Sequence, residues 1–283
     1  MALVEVNGLR LSVEATGDGF PLLLLHGFTG SAATWQPFRG AWPDFRMIAV
    51  DLIGHGASDA PADESRYTMA RCVADLVALL DAHGIDRAAV LGYSMGGRVA
   101  LQFALAAPER VAALVLESAS PGIDDAAERA ARVAADRALA DDIGRDGIEA
   151  FVGRWEKLPL WSTQARLPEV ARAALRAQRL RNSTTGLANS LRGMGAGAQA
   201  PVSVRLRELR MPVLLVAGAE DAKYREIARS MQERIAGARV EIVEGAGHAV
   251  HLERPAAFAP LVKEFLTSCL QQSRQQPAPS ARR

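Results

Sequence analysis

The sequence predicts an α/β fold: a doubly wound, mostly parallel sheet carrying an inserted helical cap. Three observations predict it. Short continuous apolar runs that end in glycine-containing turns ("PLLLLHG", "RMIAVDLIG", "AAVLGYS", "AALVLESASPG", "PVLLVAGAED") alternate with helical patterns such as "MARCVADLVALLDAHG" and "GRVALQFALAAPER". The chain has 283 residues, 49% hydrophobic and 23% charged, enough for one large α/β unit with an insertion or for two small domains. From about Gly122 to Leu209 the strand-like runs stop and Ala/Arg/Leu helical patterns replace them.

Each element follows from local pattern. "LVEVNGLRLSVEA" alternates around Asn7-Gly8, the signal of a two-residue hairpin. The later apolar runs do not alternate, so their strands are expected to be buried on both faces of a parallel sheet. The helical patterns between them end in Gly or Pro, and strand–helix alternation of this kind makes a doubly wound sheet. Residues 1–121 and 210–270 are therefore assigned to the core, and 122–209 to a cap over the carboxyl ends of the strands. The last stretch, 271–283, is polar and Pro-containing and reads as a disordered tail.

Composition bounds the function. A formal net charge of +1 gives no global pull toward nucleic acid or an anionic membrane. Two cysteines, Cys72 and Cys269, are too few for a disulfide framework and lie in apolar helical patterns, so buried thiols are expected. The start "MALVEVNGLRLSVEATG" lacks a basic segment followed by an apolar one, and "PLLLL" is too short to span a bilayer. A cytoplasmic protein without stable membrane association is expected. There is no metal-ligand cluster, phosphate loop or dinucleotide fingerprint, so neither metal nor cofactor is expected. Oligomeric state is not legible.

The chemistry begins at "GYSMG", residues 92–96, which fits G-x-S-x-G. A strand-like run precedes it and a helical pattern follows, the setting of a nucleophile elbow. Glycines flank the serine because such a bend is crowded and forces the serine into unfavourable backbone angles. The bend lifts the Ser94 hydroxyl above the sheet at a helix amino terminus, where N–H groups favour developing negative charge. A serine at its ordinary pKa is inert, and an imidazole and a carboxylate are needed to activate it. Asp221 ends the run "VLLVAGAED", and His248 lies in a Gly-flanked turn after the next strand. His248 is expected to accept the Ser94 proton, with Asp221 holding its tautomer. The N–H groups of Phe28 and Met95 are the expected oxyanion donors. Glu220 and His251 are the rivals within each turn. His26 is expected to shape the oxyanion loop, and His55 to build a tight turn.

These motifs, "LLLLHGFTGS", "VDLIGHGASD", "GYSMGG", "GAED" and "GAGHAVHLERP", stand in the order of the α/β-hydrolase superfamily, which the chain resembles from residue 1 to about 270. That resemblance implies the fold and leaves open esterase, lipase, epoxide hydrolase, C–C hydrolase and lyase chemistry.

Arg98 narrows the choice. It follows Ser94 at i+4, so its side chain returns to the serine's side of the first helical turn. A guanidinium there is costly to desolvate without an anion, which points to a substrate bearing carboxylates; a structural carboxylate or solvent is the alternative partner. "ERAARVAADR", "FVGRWEKLPLW" and "RAQRLRNSTTGLANSLRGMGAGAQ", taken with "GYSMGGR" and "GAEDAKY", resemble the 2-succinyl-6-hydroxy-2,4-cyclohexadiene-1-carboxylate (SHCHC) synthase family of menaquinone and phylloquinone biosynthesis. The resemblance implies a small-molecule substrate with three carboxylates bound by Arg98, Arg132 and Arg179, beside Tyr93 and Trp155. Arg181 rivals Arg179. It also implies a carbon–oxygen lyase in which Ser94, deprotonated by His248, removes a substrate C–H proton and pyruvate is eliminated. Two other readings stay open: a serine hydrolase (a carboxylesterase or a C–C bond hydrolase of ring-cleavage products) and a non-catalytic binding protein.

Overall fold

The computed structural model describes residues 1–275. The chain opens with the antiparallel hairpin β1 (Ala2–Val6) and β2 (Leu9–Thr16), in which Val6 faces Leu9 across Asn7-Gly8. Then come β3 (Phe20–Leu25), β4 (Phe45–Val50), α1 (Met69–Ala82), β5 (Ala88–Tyr93), α2 (Met95–Ala106) and β6 (Val111–Glu117). After the helical stretch, β7 (Val213–Gly218) and β8 (Arg239–Val243) complete an eight-stranded sheet of order β1-β2-β4-β3-β5-β6-β7-β8. Pairing is antiparallel for β1/β2 and β2/β4 and parallel from β4 to β8.

The unbroken apolar runs are explained by burial on two faces. Leu23 and Leu25 of β3 join Val90, Leu114 and Leu215 in one cluster, with Leu76 and Leu80 of α1 and Val99 and Phe103 of α2. Leu22 and Leu24 face the other way, with Leu91, Val115 and Val216, against Trp35, Trp42 and Phe258. Phe258 belongs to α8 (Pro255–Gln275), and the Trp42 indole N–H donates to the Ala259 carbonyl at 2.9 Å. Full burial of each such Leu contributes about 1.5–3 kcal/mol.

Between β6 and β7 there is no strand. The chain forms α3 (Ala126–Trp155), a 3-10 segment (Pro159–Arg166), α4 (Glu169–Leu180) and α5 (Thr184–Met194). The helix α3 is broken at Gly147, whose φ of 81° no right-handed helix accommodates. These helices build a third cluster from Ile143, Phe151, Val152, Leu187 and Leu191, closed from the sheet side by Phe28. Of the stretch 271–283 expected as a disordered tail, residues 271–275 are instead helical, as the end of α8, and residues 276–283 lie outside the described ones. Both cysteines are buried, as expected.

Parallel strands of one direction bring the loops after β3, β5, β7 and β8 to a single edge. Two of these loops touch backbone to backbone. A Cβ on Gly218, at the end of β7, would stand 2.1 Å from the Gly247 carbonyl and 2.3 Å from that of Ala246. Gly218→Ala must therefore push the β8 loop away, and it is expected to cost about 1–3 kcal/mol in a urea titration and to weaken activity along with stability.

Candidate functional site

Ser94 sits at the junction of β5 and α2 with φ 51° and ψ −109°, a backbone state that L side chains rarely adopt. It is held there by its own N–H, which donates to the Glu117 carbonyl of β6 at 2.8 Å. Glycines make the bend possible: a Cβ on Gly96 would meet the Leu25 carbonyl at 2.3 Å, and one on Gly92 would meet that of Gly96 at 2.3 Å. Ser94 Oγ is 3.0 Å from His248 Nε2, and His248 Nδ1 is 2.7 Å from Asp221 Oδ2. The acceptor at Nδ1 makes that nitrogen the protonated one, so Nε2 presents a lone pair to the serine hydroxyl.

Asp221 caps α6 (Ala222–Gln232), its Oδ1 accepting the Tyr224 N–H at 3.2 Å, so both carboxylate oxygens are fixed. Its rival Glu220 instead accepts from Arg166 at 2.8 Å. The His248 ring is buried among Tyr93, Trp161 and Tyr224, whose centroids lie 5.6, 5.6 and 4.5 Å away. Glu253, a residue the sequence gave no reason to single out, brackets the histidine: its carboxylate accepts the N–H groups of Gly247 at 2.8 Å and Ala249 at 3.2 Å. Glu253 ends the short helix α7 (Val250–Glu253), which also carries the other rival, His251. His251 is buried against Glu117, its Nδ1 2.9 Å from both carboxylate oxygens, whereas the Ser94 hydroxyl is hydrogen-bonded to His248.

Ser94 and His248 open onto a cavity of about 210 Å³. Phe28, Met95, Tyr93, Trp155, Arg98 and Arg132 all line it, so most of the expected site residues meet there. Arg98 is 9% exposed, and its Nη1 donates to the Met194 carbonyl at 2.8 Å and to Gln199 Oε1 at 3.0 Å. Among the described residues no carboxylate pairs with it. Burial lowers its pKa to about 10, with Arg132 adding to the effect and Tyr224 and Asp136 opposing it. Arg132 is bound through Nε to Asp136 Oδ1 at 2.8 Å.

Arg179 is not in this cavity. It is buried, with Glu156 Oε1 at 3.1 Å and Gln164 Oε1 at 3.3 Å, and its guanidinium stands 5.5 Å from the Trp161 ring centroid. Burial lowers its pKa and Glu156 opposes the shift. It lines an adjoining cavity of about 370 Å³, together with the exposed Arg181, and Phe28, Tyr93 and Trp161 form the wall between the two spaces. Lys223, Tyr224, Trp161, Asp136 and Gln199 were passed over by sequence reading. Lys223 and Tyr224 follow Asp221 within "GAEDAKY", a position that was a usable signal; Asp136, Trp161 and Gln199 lie inside the quoted stretches "ERAARVAADR", "FVGRWEKLPLW" and "RAQRLRNSTTGLANSLRGMGAGAQ", whose local pattern does not say which side chains face Ser94.

His26 and His55 are wholly buried under this edge. His26 Nδ1–H donates to the Gly27 carbonyl at 2.8 Å while its Nε2 accepts the Leu52 N–H at 3.0 Å, which ties the Phe28 loop to the end of β4. His55 Nδ1 is 3.0 Å from the Ile53 carbonyl, and its ring lies 5.8 Å from that of Phe28.

A family model described as the alpha/beta hydrolase fold matches residues 21–255. A Bacillus subtilis (strain 168) protein, provisionally named 2-succinyl-6-hydroxy-2,4-cyclohexadiene-1-carboxylate synthase, is 46% identical over 264 residues, covering 93% of this chain and 96% of its own. The synthase of that name from Serratia proteamaculans (strain 568) is 33% identical over 248 residues, 87% and 93% of the two chains. Among solved structures, MenH from S. aureus is similar with a TM-score of 0.88 at 33% identity, covering 91% of this chain and 98% of its own.

Burial pushes His26 down to about 4 and His55 down to about 3, from an ordinary 6.5. In that window the unfolded chain binds more protons than the folded one, so stability falls as pH falls. The contribution of each is full above about pH 6.5 and is lost as pH falls below it, down through about 4 for His26 and about 3 for His55. Urea midpoints should decline from pH 6.5 to 4, and the His26 and His55 ring signals should stay those of neutral imidazole at about pH 5 in an NMR titration.

Proposed function

Because the chain belongs to the SHCHC synthase family within the α/β-hydrolase superfamily, we propose that it eliminates pyruvate from 2-succinyl-5-enolpyruvyl-6-hydroxy-3-cyclohexene-1-carboxylate (SEPHCHC) to give SHCHC, a carbon–oxygen lyase step of menaquinone biosynthesis. His248, with its Nδ1–H on Asp221, takes the Ser94 proton as the serine oxygen removes a proton from a ring carbon of the substrate. The electron pair of that C–H bond delocalises as an enolate, whose oxygen accepts N–H groups of Phe28 and Met95. Collapse of the enolate breaks the C–O bond and forms the ring diene. The leaving enolpyruvate takes up a proton and tautomerises to pyruvate. Neither an acyl-enzyme nor water takes part.

One observation carries this reading: a serine on an imidazole–carboxylate chain shares its cavity with a buried guanidinium whose partners are neutral. A buried cation without a carboxylate is stabilised most by an anionic ligand. A serine hydrolase would use the same Ser94, His248 and Asp221 with no need for Arg98 and Arg132 beside them. In this proposal Arg98 and Arg132 hold carboxylates near the reacting ring, with Tyr93 and Trp155 as walls. Arg179 meets the remote carboxylate through the adjoining cavity, in preference to the exposed Arg181. We further propose that 122–209 acts as a cap over a core formed by 1–121 and 210–270, and that the protein works in the cytoplasm. No helix among the described residues is long and apolar enough to cross a membrane.

SEPHCHC generated in situ by the preceding synthase, with pyruvate release and SHCHC absorbance as readouts, tests the proposal. The wild type should accelerate elimination well above the spontaneous rate, and Ser94→Ala should lose at least about a thousandfold. Arg98→Ala should lower kcat/KM by roughly 30-fold or more, the cost of removing one buried charged partner. Wild-type rates equal to the spontaneous rate would sink the lyase assignment and move the search to esters and ring-cleavage products.

A further inference from the structure

The cavity that holds Ser94 contains an unexpected anion. Arg98, Arg132 and Lys223 line it, and so does Asp136, which is 5% exposed. A carboxylate is unwelcome in a space built for a ligand with several negative charges, because buried like charges repel strongly. We infer that Asp136 is the resident counter-ion of Arg132 and the positioning residue that aims it into the site, so that it limits how tightly polycarboxylates bind while keeping them correctly placed. The inference rests on the proposed reading only for the identity of the natural ligand.

The contacts divide the two roles. Asp136 Oδ1 takes the inner N–H of Arg132, at Nε and 2.8 Å. A guanidinium held at Nε keeps its two outer amines free as a planar fork, the geometry that matches a carboxylate. The partners differ in access: the Arg132 side chain is 43% exposed and that of Asp136 is 6% exposed, so the acid is the buried anchor and the arginine is the arm that reaches out. An exposed pair at this helical spacing contributes little, and burial of the anchor is what gives the contact force.

The second oxygen, Oδ2, is buried and has no hydrogen-bond partner. It lies against the C-cap of α5, where a Cβ on Gly195 would stand 2.6 Å from it. Arg98 donates to the carbonyl of Met194, the residue just before Gly195. Asp136, on the same helix as Arg132, thus abuts the end of α5 whose Met194 carbonyl Arg98 holds. Its charge supports protonated Arg98, whereas Arg132 works against it. A lone carboxylate oxygen in such a place is a cost to the fold, offset by the ion pair with Arg132 while the site is empty. Incoming carboxylates must displace that balance.

Asp136→Asn and Asp136→Ala separate the roles. Asparagine keeps an acceptor for Arg132 Nε and removes the charge; alanine removes both. Calorimetry with tricarballylate, a saturated tricarboxylate that is not turned over, should show Kd falling about three- to tenfold for Asp136→Asn at low salt, with the difference shrinking at high salt. In turnover, Asp136→Asn should keep most of kcat, whereas Asp136→Ala should lose about tenfold in kcat because Arg132 is no longer aimed. If the alanine variant does not fold, Arg132→Lys, which keeps the charge and lacks Nε, carries the same comparison. Tricarballylate bound no more tightly by Asp136→Asn than by wild type overturns the counter-ion role. Equal kcat in the asparagine variant and in the alanine or lysine variant overturns the aiming role. Calorimetry requires no turnover, so failure of the lyase reading would show separately, as absent wild-type elimination.

Discussion

Ser94 keeps its left-handed backbone because three strands leave it no other path. Its N–H is bound by the last residue of β6, and the turn that follows packs against the carbonyls at the end of β3. A strained residue of this kind costs about 1–3 kcal/mol and persists only where its surroundings over-determine it. The parallel core supplies that determination. With Leu22 to Leu25 buried on alternating faces, β3 cannot slip by one residue without turning one whole set of side chains to the wrong layer. The register that fixes β3 therefore also fixes the elbow.

The same rigidity extends to the imidazole. His248 is held through its ring by Asp221 and through its flanking peptides by Glu253, while Gly218 lets the two loops touch. Below it, His251 and Glu117 form a buried pair in the layer under Tyr93; Glu117 gives its backbone carbonyl to Ser94 and its side chain to His251. Ser94 and the short helix α7 that follows His248 are thus attached to one β6 residue. Such shared support limits the reorganisation needed when a proton moves between Ser94 and His248.

The helices between β6 and β7 add charge and dryness. Phe28 reaches from the loop after β3 into the cluster of α3 and α5, so the sheet edge and those helices share one apolar contact. Trp155, Trp161 and Tyr224 exclude water around His248 and strengthen each electrostatic term within the cavity. Arg98 comes from the sheet side, at the base of α2, and Arg132 from α3, so both helices contribute a guanidinium to the same cavity.

The sequence by itself determined the fold class, the serine elbow and the Ser94, Asp221 and His248 set, because each rests on a local pattern: strand-length apolar runs, a glycine-flanked bend, turns at strand ends. The parallel direction of the later strands follows from those patterns, and their loops then have one edge at which to meet. Arg98 was legible for the same reason, since i+4 on a helix is a fixed geometry. Which cap residues face the serine was decided only by tertiary structure. Arg132 and Arg179 look equivalent in the sequence, yet Trp161 puts one in the Ser94 cavity and the other beyond a wall. Helical patterns rich in Ala and Arg specify that helices form, and only their packing angle and the break at Gly147 decide where each side chain points. Asp136 and Glu253, ordinary acidic residues in the sequence, acquire their roles from what the folded chain places beside them.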